Sequence, residues 1–324
     1  LREDRHTGYE QEANSLAADQ GDLYEVDSDA PQLDGATLLW YFEGFIDAGA
    51  AGRLVTEHLL TKLDHKVIAS FDVDRLIDYR SRRPVMTFVK DRWERYEKLE
   101  LVTHLMHDAA GTPFLLLVGP EPDHEWERFT TAVTAMCERL GVSLAVGFHG
   151  IPLGVPHTRP LGVTPHATRP ELISADRPLP NQLQVPGSIA ALLEFRFGET
   201  GRDAAGFAVH VPHYLAQAAY PAGAVKLLES LTALTGLDVP DDALREAARR
   251  TDAEINRQVE SSSEITEVVQ ALEEQYDAVA EAQAQGNDLL GGDPENMPTA
   301  EELGEQFERF LAEQQGPANP QDLG

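Results

Sequence analysis

The sequence predicts an α/β protein, a three-layer α/β/α arrangement around a largely parallel sheet with a C-terminal helical extension. Three observations carry this. Apolar runs of strand length recur between residues 36 and 211, several of them apolar on both faces; segments with helical spacing lie between them; and after Pro221 the pattern is wholly helical.

The expected strands, in order, are "ATLLWYF" (36–42), "HKVIASF" (65–71), "PVMTFV" (84–89), "LELVTHL" (99–105), "PFLLLVG" (113–119), "SLAVGF" (143–148) and "AGFAVHV" (205–211). The first helix, "DAGAAGRLVTEHLLTKL", sets Leu54, Val55, Leu59, Leu60 and Leu63 near one stripe. The second, "DHEWERFTTAVTAMCERLGV", has Asp123 as candidate N-cap and Gly141 as its stop. Ser188 in "VPGSIAALLEF" reads as a helix start and not as an activated nucleophile, since no GxSxG elbow is present.

Beyond Pro221, "PAGAVKLLESLTALTGL" ends at a Gly-Leu stop and "PDDALREAARRTDAEINRQVE" begins at Pro240. "SSSEITEVVQALEEQYDAV" opens with Ser261 and Glu264 at capping-box spacing, and its Ile265, Val268, Val269, Leu272, Tyr276 and Val279 form one apolar face. The expected organisation is a disordered segment 1–21, an α/β core 22–235, a helical subdomain 236–283, a linker 284–298, a docking helix 299–315 with Leu303, Phe307, Phe310 and Leu311 on its apolar face, and a flexible tail 316–324.

The formal charge is −29, with 55 Asp and Glu against 26 Lys and Arg, which disfavours nonspecific binding to nucleic acid or anionic membranes. The charge is uneven: the helical end is strongly acidic, whereas "DRLIDYRSRRP" and "VKDRWERYEK" are locally basic. No stretch approaches the roughly 20 apolar residues of a membrane span, and the polar N-terminus lacks a signal-peptide core, so a cytoplasmic location is expected. The one cysteine, Cys137, sits among apolar neighbours at helical spacing and reads as a buried structural thiol.

Candidate site residues come from loops at expected strand ends, because ligands of parallel α/β sheets gather outside the carboxyl ends of strands. "FEGFIDAGAAG" contributes Glu43, Gly44, Asp47 and Gly49, "GPEPDHEW" Glu121 and Asp123, and "FHGIPLGVPHTRP" His149, His157 and Arg159. The first loop matches neither GxxxxGK[ST] nor GxGxxG, and an acidic residue beside the helix start would take the place a phosphate wants, so a sharp turn is favoured over an anion site. Arg80, Arg82 and Arg83 crowd together after Asp72, Asp74 and Asp78; they suit an anionic ligand, a partner's acidic surface, or internal ion pairs. His149, His157, His166, His210 and His213 follow no known metal-ligand spacing, and no metal or cofactor is expected.

Taken together and in order, "EGFIDAG", "DYRSRRP", "LLLVGPEPDHEWERF", "FHGIPLGVPHTRP" and "VHVPHYLAQAAYP" resemble the bacterial branch of the proteasome assembly chaperone 2 family over roughly residues 22 to 312. The resemblance implies a phosphorylase/hydrolase-like fold, a helical C-terminal extension and homo-oligomers, trimers among them, with proteasome subunits as possible partners. Some relatives dock through a C-terminal hydrophobic-tyrosine-any residue tail; "PANPQDLG" has none, which leaves surface-mediated binding as the expectation. Two functions are weighed: a noncatalytic assembly or interaction protein, and a hydrolase or nucleoside-phosphorylase-like enzyme with its cleft at the strand-end loops.

Overall fold

The computed structural model describes residues 23–173 and 184–284. The expected segment 1–21 and nearly all of the chain assigned to linker, docking helix and tail lie outside the described residues.

The strands are β1 (Tyr24–Val26), β2 (Ala36–Glu43), β3 (His65–Phe71), β4 (Met86–Val89), β5 (Arg92–Tyr96), β6 (Val102–His107), β7 (Pro113–Pro120), β8 (Val142–Leu153), β9 (Val163–Ala167) and β10 (Asp203–Pro212). The helices, apart from three-residue 3-10 turns, are α1 (Ala51–Lys62), α2 (Val73–Leu76), α3 (Trp126–Leu140), α4 (Ile189–Glu199), α5 (Pro221–Thr235), α6 (Asp242–Glu260) and α7 (Ser263–Ala284).

Eight strands form one sheet in the order β1-β3-β6-β7-β2-β8-β10-β9. β7, β2, β8 and β10 pair in parallel at its centre, and antiparallel pairs flank them. β3 also runs with the central four, because two antiparallel steps through β6 restore the direction. Alternation sorts β2 onto both faces. Leu38, Trp40 and Phe42 join the core under α3 and α4, while Leu39 and Tyr41 join the core under α1, α5 and α6. Burying one Leu or Phe in either core contributes about 2 kcal/mol. Cys137 is 1% exposed on α3, and burial pushes its thiol up to about 12.

The compact unit extends through Tyr276 and includes α6, whose Leu244, Ala248 and Ile255 belong to the same apolar cluster as α1 and α5. Residues from Asp277 on form a second unit, described only through Ala284. α7 buries Val269 but leaves Ile265 and Val268 at 45% and 48% exposure, so its expected apolar face is only partly covered.

Several local expectations change. Asp123 does not cap α3: Glu125 occupies that position, and the Asp123 carboxylate accepts from the Asp78 N–H at 2.8 Å instead. Ser261 ends α6, and it is Ser262 Oγ that accepts from Ile265 N at 3.4 Å. The expected strand 84–89 is outside the main sheet. Met86–Val89 pairs with β5 as a separate hairpin, because a two-residue connection at Lys90, with φ 55, folds the chain straight back on itself.

Candidate functional site

The β2–α1 turn is organised by Asp47. The first N–H groups of a helix have no intrahelical acceptor, and at α1 the Asp47 carboxylate supplies one to Gly52 (2.8 Å) and Arg53 (3.0 Å). The same carboxylate accepts from Gly150 N on β8 at 2.9 Å and from the Tyr41 hydroxyl at 2.9 Å. These four donors match the roughly four lone-pair sites of a carboxylate, leaving none for a ligand or a substrate proton. Burial, with Asp47 next in effect, raises the Tyr41 pKa, so the phenol stays a donor. Gly49, at φ 68, is held by bonds to Ala216 O and from Tyr220 N, both 2.8 Å; a Cβ there would fall 2.9 Å from the Tyr220 Cβ.

Arg82 ties the next group together. Its guanidinium donates to the carbonyls of Glu43 (3.2 Å) and Glu121 and lies 3.3 Å from the Asp123 carboxylate. It therefore pairs with a distant aspartate and not with Asp72, Asp74 or Asp78 beside it in sequence. The guanidinium also covers Gly44, which sits at φ 128 where a Cβ would be 2.6 Å from Arg82 Nη2. The Glu121 side chain is buried and accepts from Ile189 N at 2.7 Å, at the start of α4, where Ser188 Oγ takes Ala191 N at 3.2 Å. Arg80 and Arg83 are exposed and make no ion pair among the described residues.

His157 and Arg159 belong to a third group, a loop fastened to α6 and α7. His157 N and Nδ1 meet the Tyr214 hydroxyl at 2.8 and 2.7 Å, and Nε2 meets Asn256 Oδ1 at 3.0 Å. Since the Asn256 oxygen can only accept, Nε2 is the donor of that bond. Arg159 lies 3.2 Å from Glu273, Thr158 donates to the same carboxylate, and Tyr276 donates to Pro160 O at 3.0 Å. His149 stands on β8; burial first, then His166, lowers its pKa, and His166 is itself 2.9 Å from Glu194. Among the described residues no group of three or more His, Cys, Asp or Glu is arranged to hold a metal ion.

Eight of the nine candidate cleft residues lie at or beyond the carboxyl ends of β2, β7 and β8 and fall into separately bonded groups around Asp47, Arg82 and His157, while His149 stands within β8. Sequence reasoning missed Tyr214, Asn256 and Glu273, whose roles depend on pairings across 57 to 115 residues.

It also missed the β4–β5 hairpin, for which alternation was the available signal. Register places Met86 opposite Tyr96 and Phe88 opposite Trp93, so these four share one hairpin face, with the Phe88 and Trp93 rings 5.0 Å apart. They are 46%, 49%, 54% and 62% exposed, respectively, and Val85 beside them is 59% exposed. The other face carries Thr87, Arg92 and Arg95. Residues 80–98 hold seven Lys or Arg and three Asp or Glu, a basic island in an acidic chain.

The molecule is therefore an α/β/α protein whose strand-end side chains are largely spent on backbone groups and whose largest uncovered apolar feature described above is a hairpin. The chain belongs to the PAC2 family, whose model matches residues 41–259. It is similar to a Mycobacterium tuberculosis protein of unknown function, with 48% identity and a TM-score of 0.77 over 81% of this chain and 93% of that one. A Corynebacterium glutamicum protein of unknown function is similar at 39% identity and TM-score 0.77, over 80% and 98% of the two chains. A Mycobacterium tuberculosis proteasome-assembly chaperone homologue shares the fold at 24% identity and TM-score 0.67, over 72% and 99%. No curated protein sequence matches the chain.

Proposed function

We propose that this protein is a noncatalytic assembly or interaction protein that works as a homo-oligomer in the cytoplasm and holds its partners through surfaces. The observation that carries the reading is the hairpin face of Met86, Phe88, Trp93 and Tyr96. Two-stranded hairpins are marginal in water by themselves, and clustered exposed aromatics mark protein contacts. A hairpin with one aromatic and one basic face, on a chain of net charge −29, is complementary to a second copy of the same chain, which makes self-association its first use. The filled lone pairs of Asp47 and the backbone contacts of Glu121 and Arg82 support the noncatalytic side of the reading. Proteasome-type subunits are the further partners we propose, by extension from the chaperone homologue of the same fold; a trimer is the proposed stoichiometry.

Native mass spectrometry of wild type and of Phe88→Ser/Trp93→Ser, each alone and mixed with proteasome α-type subunits, tests this. Wild type should assemble and the variant should fall to a monomer that keeps the wild-type circular dichroism spectrum. A wild type that stays monomeric at micromolar concentration and ignores the subunits overturns the reading.

A further inference from the structure

Two exposed apolar surfaces of the compact unit carry opposite charge. On the β4–β5 hairpin, Met86, Phe88, Trp93 and Tyr96 stand in a stretch, residues 80–98, with seven Lys or Arg and three Asp or Glu. On the first half of α7, Ile265 and Val268 lie one turn apart at 45% and 48% exposure, and residues 263–276 hold four Glu and no Lys or Arg. The charges on both surfaces are free. Lys90 in the hairpin turn, Lys98 past its second strand, and Glu264, Glu267 and Glu274 on α7 are exposed and make no ion pair among the described residues.

Each surface is unsuited to meeting its own copy. Hairpin against hairpin brings bases to bases, and α7 against α7 brings acids to acids, both unfavourable across an interface. Hairpin against α7 joins opposite charges around apolar side chains. Within one chain both surfaces stay exposed, so the pairing is between copies. The amphipathic segment 299–315, with five Glu and one Arg, would bring like charge to α7 and is the poorer occupant.

We propose that the hairpin of one copy seats on the Ile265 and Val268 strip of α7 in a second copy, Phe88 and Trp93 against the two aliphatic side chains and Lys90 and Lys98 among the α7 glutamates. The proposal rests on the self-association reading above and adds the surface that the hairpin meets. Because the contact joins two different patches, it runs head to tail, the kind of interface that closes into a ring such as a trimer.

Native mass spectrometry of the full chain tests this with Phe88→Ser/Trp93→Ser and Ile265→Ser/Val268→Ser. Each variant alone should be a monomer with the wild-type circular dichroism spectrum. Mixed, they should form a heterodimer, since the first keeps an intact α7 and the second an intact hairpin; a hairpin-to-hairpin contact gives no such rescue. Lys90→Glu/Lys98→Glu should weaken assembly about tenfold, two exposed ion pairs' worth, and adding Glu264→Lys/Glu267→Lys to the same chain should restore it. Should the α7 serine variant lose its spectrum, the charge exchange decides, and failure to restore assembly overturns the assignment. An α7 serine variant that assembles as wild type does, or a mixture that stays monomeric, overturns the assignment to α7 while the hairpin reading stands; a monomeric wild type overturns both.

Discussion

Around Asp47 and Arg82, charged groups are consumed by backbone donors and acceptors from distant strands; on the β4–β5 hairpin, four large apolar side chains meet solvent. Both regions follow carboxyl ends of strands that run the same way. One region looks like a site in the sequence and acts as joinery. The other reads as an expected strand, 84–89, followed by a basic run, and carries the exposed rings. On the function proposed above, the acidic and histidine-bearing loops are a poor guide to where a partner is met, and unburied apolar area is a better one.

The largest effect that would break this contrast is at Asp47. Asp47→Ala removes the acceptor for four donors and should cost about 4 kcal/mol in denaturant unfolding, with Asp47→Asn recovering part of it. An Asp47→Ala protein of wild-type stability would return the loop to the list of functional candidates.

His104 offers a test on the fold side that depends on pH. It is 9% exposed on β6, its Nδ1 has no partner, and burial, with His65 second, lowers its pKa from 6.5 to about 4. The unfolded chain binds a proton near 6.5 and the folded one does not until about 4, so stability is full above 6.5 and is lost as pH falls through that window. The loss from this group should be on the order of 3 kcal/mol, and His104→Leu should flatten the acid side of the melting-temperature curve.

Gly44→Ala should cost about 2 kcal/mol, since it forces a side chain at φ 128 and displaces the Arg82 guanidinium; a melt reads it directly. At the small end, the hairpin double serine variant should change monomer stability by less than about 0.5 kcal/mol. If it instead unfolds the protein, the hairpin is part of the fold and the contrast fails.

Much of the architecture was legible because apolar runs on β2, β7 and β8 are buried on both faces, and only a covered sheet demands that. β9 was not legible: it contains Pro165 and His166, as an edge strand with one unpaired side permits. β5, "RWERY", reads as a charged stretch, and among the described residues nothing buries it. For the site, the edge at which Glu43, Glu121 and His157 gather followed from topology alone. Their actual bonds did not, since Asp123 with Arg82, or His157 with Asn256, are matters of side-chain reach that no local spacing encodes. The capping expectation at Asp123 failed for the same reason: Asp78 N–H, 45 residues away, competes for that carboxylate and wins.

The bond from Gly150 to Asp47 spans 103 residues, and this orders events as the chain folds. Helix α1 follows β2 directly, yet the Asp47 carboxylate that accepts from its first turn lacks its donor from the sheet, the Gly150 N–H, until β8 has been laid down beside β2. A nascent chain that has emerged only through β7 holds α1 with a carboxylate still facing water on one side. Closure of that long loop belongs among the slow, late steps, where non-local contacts repay their entropy only once made.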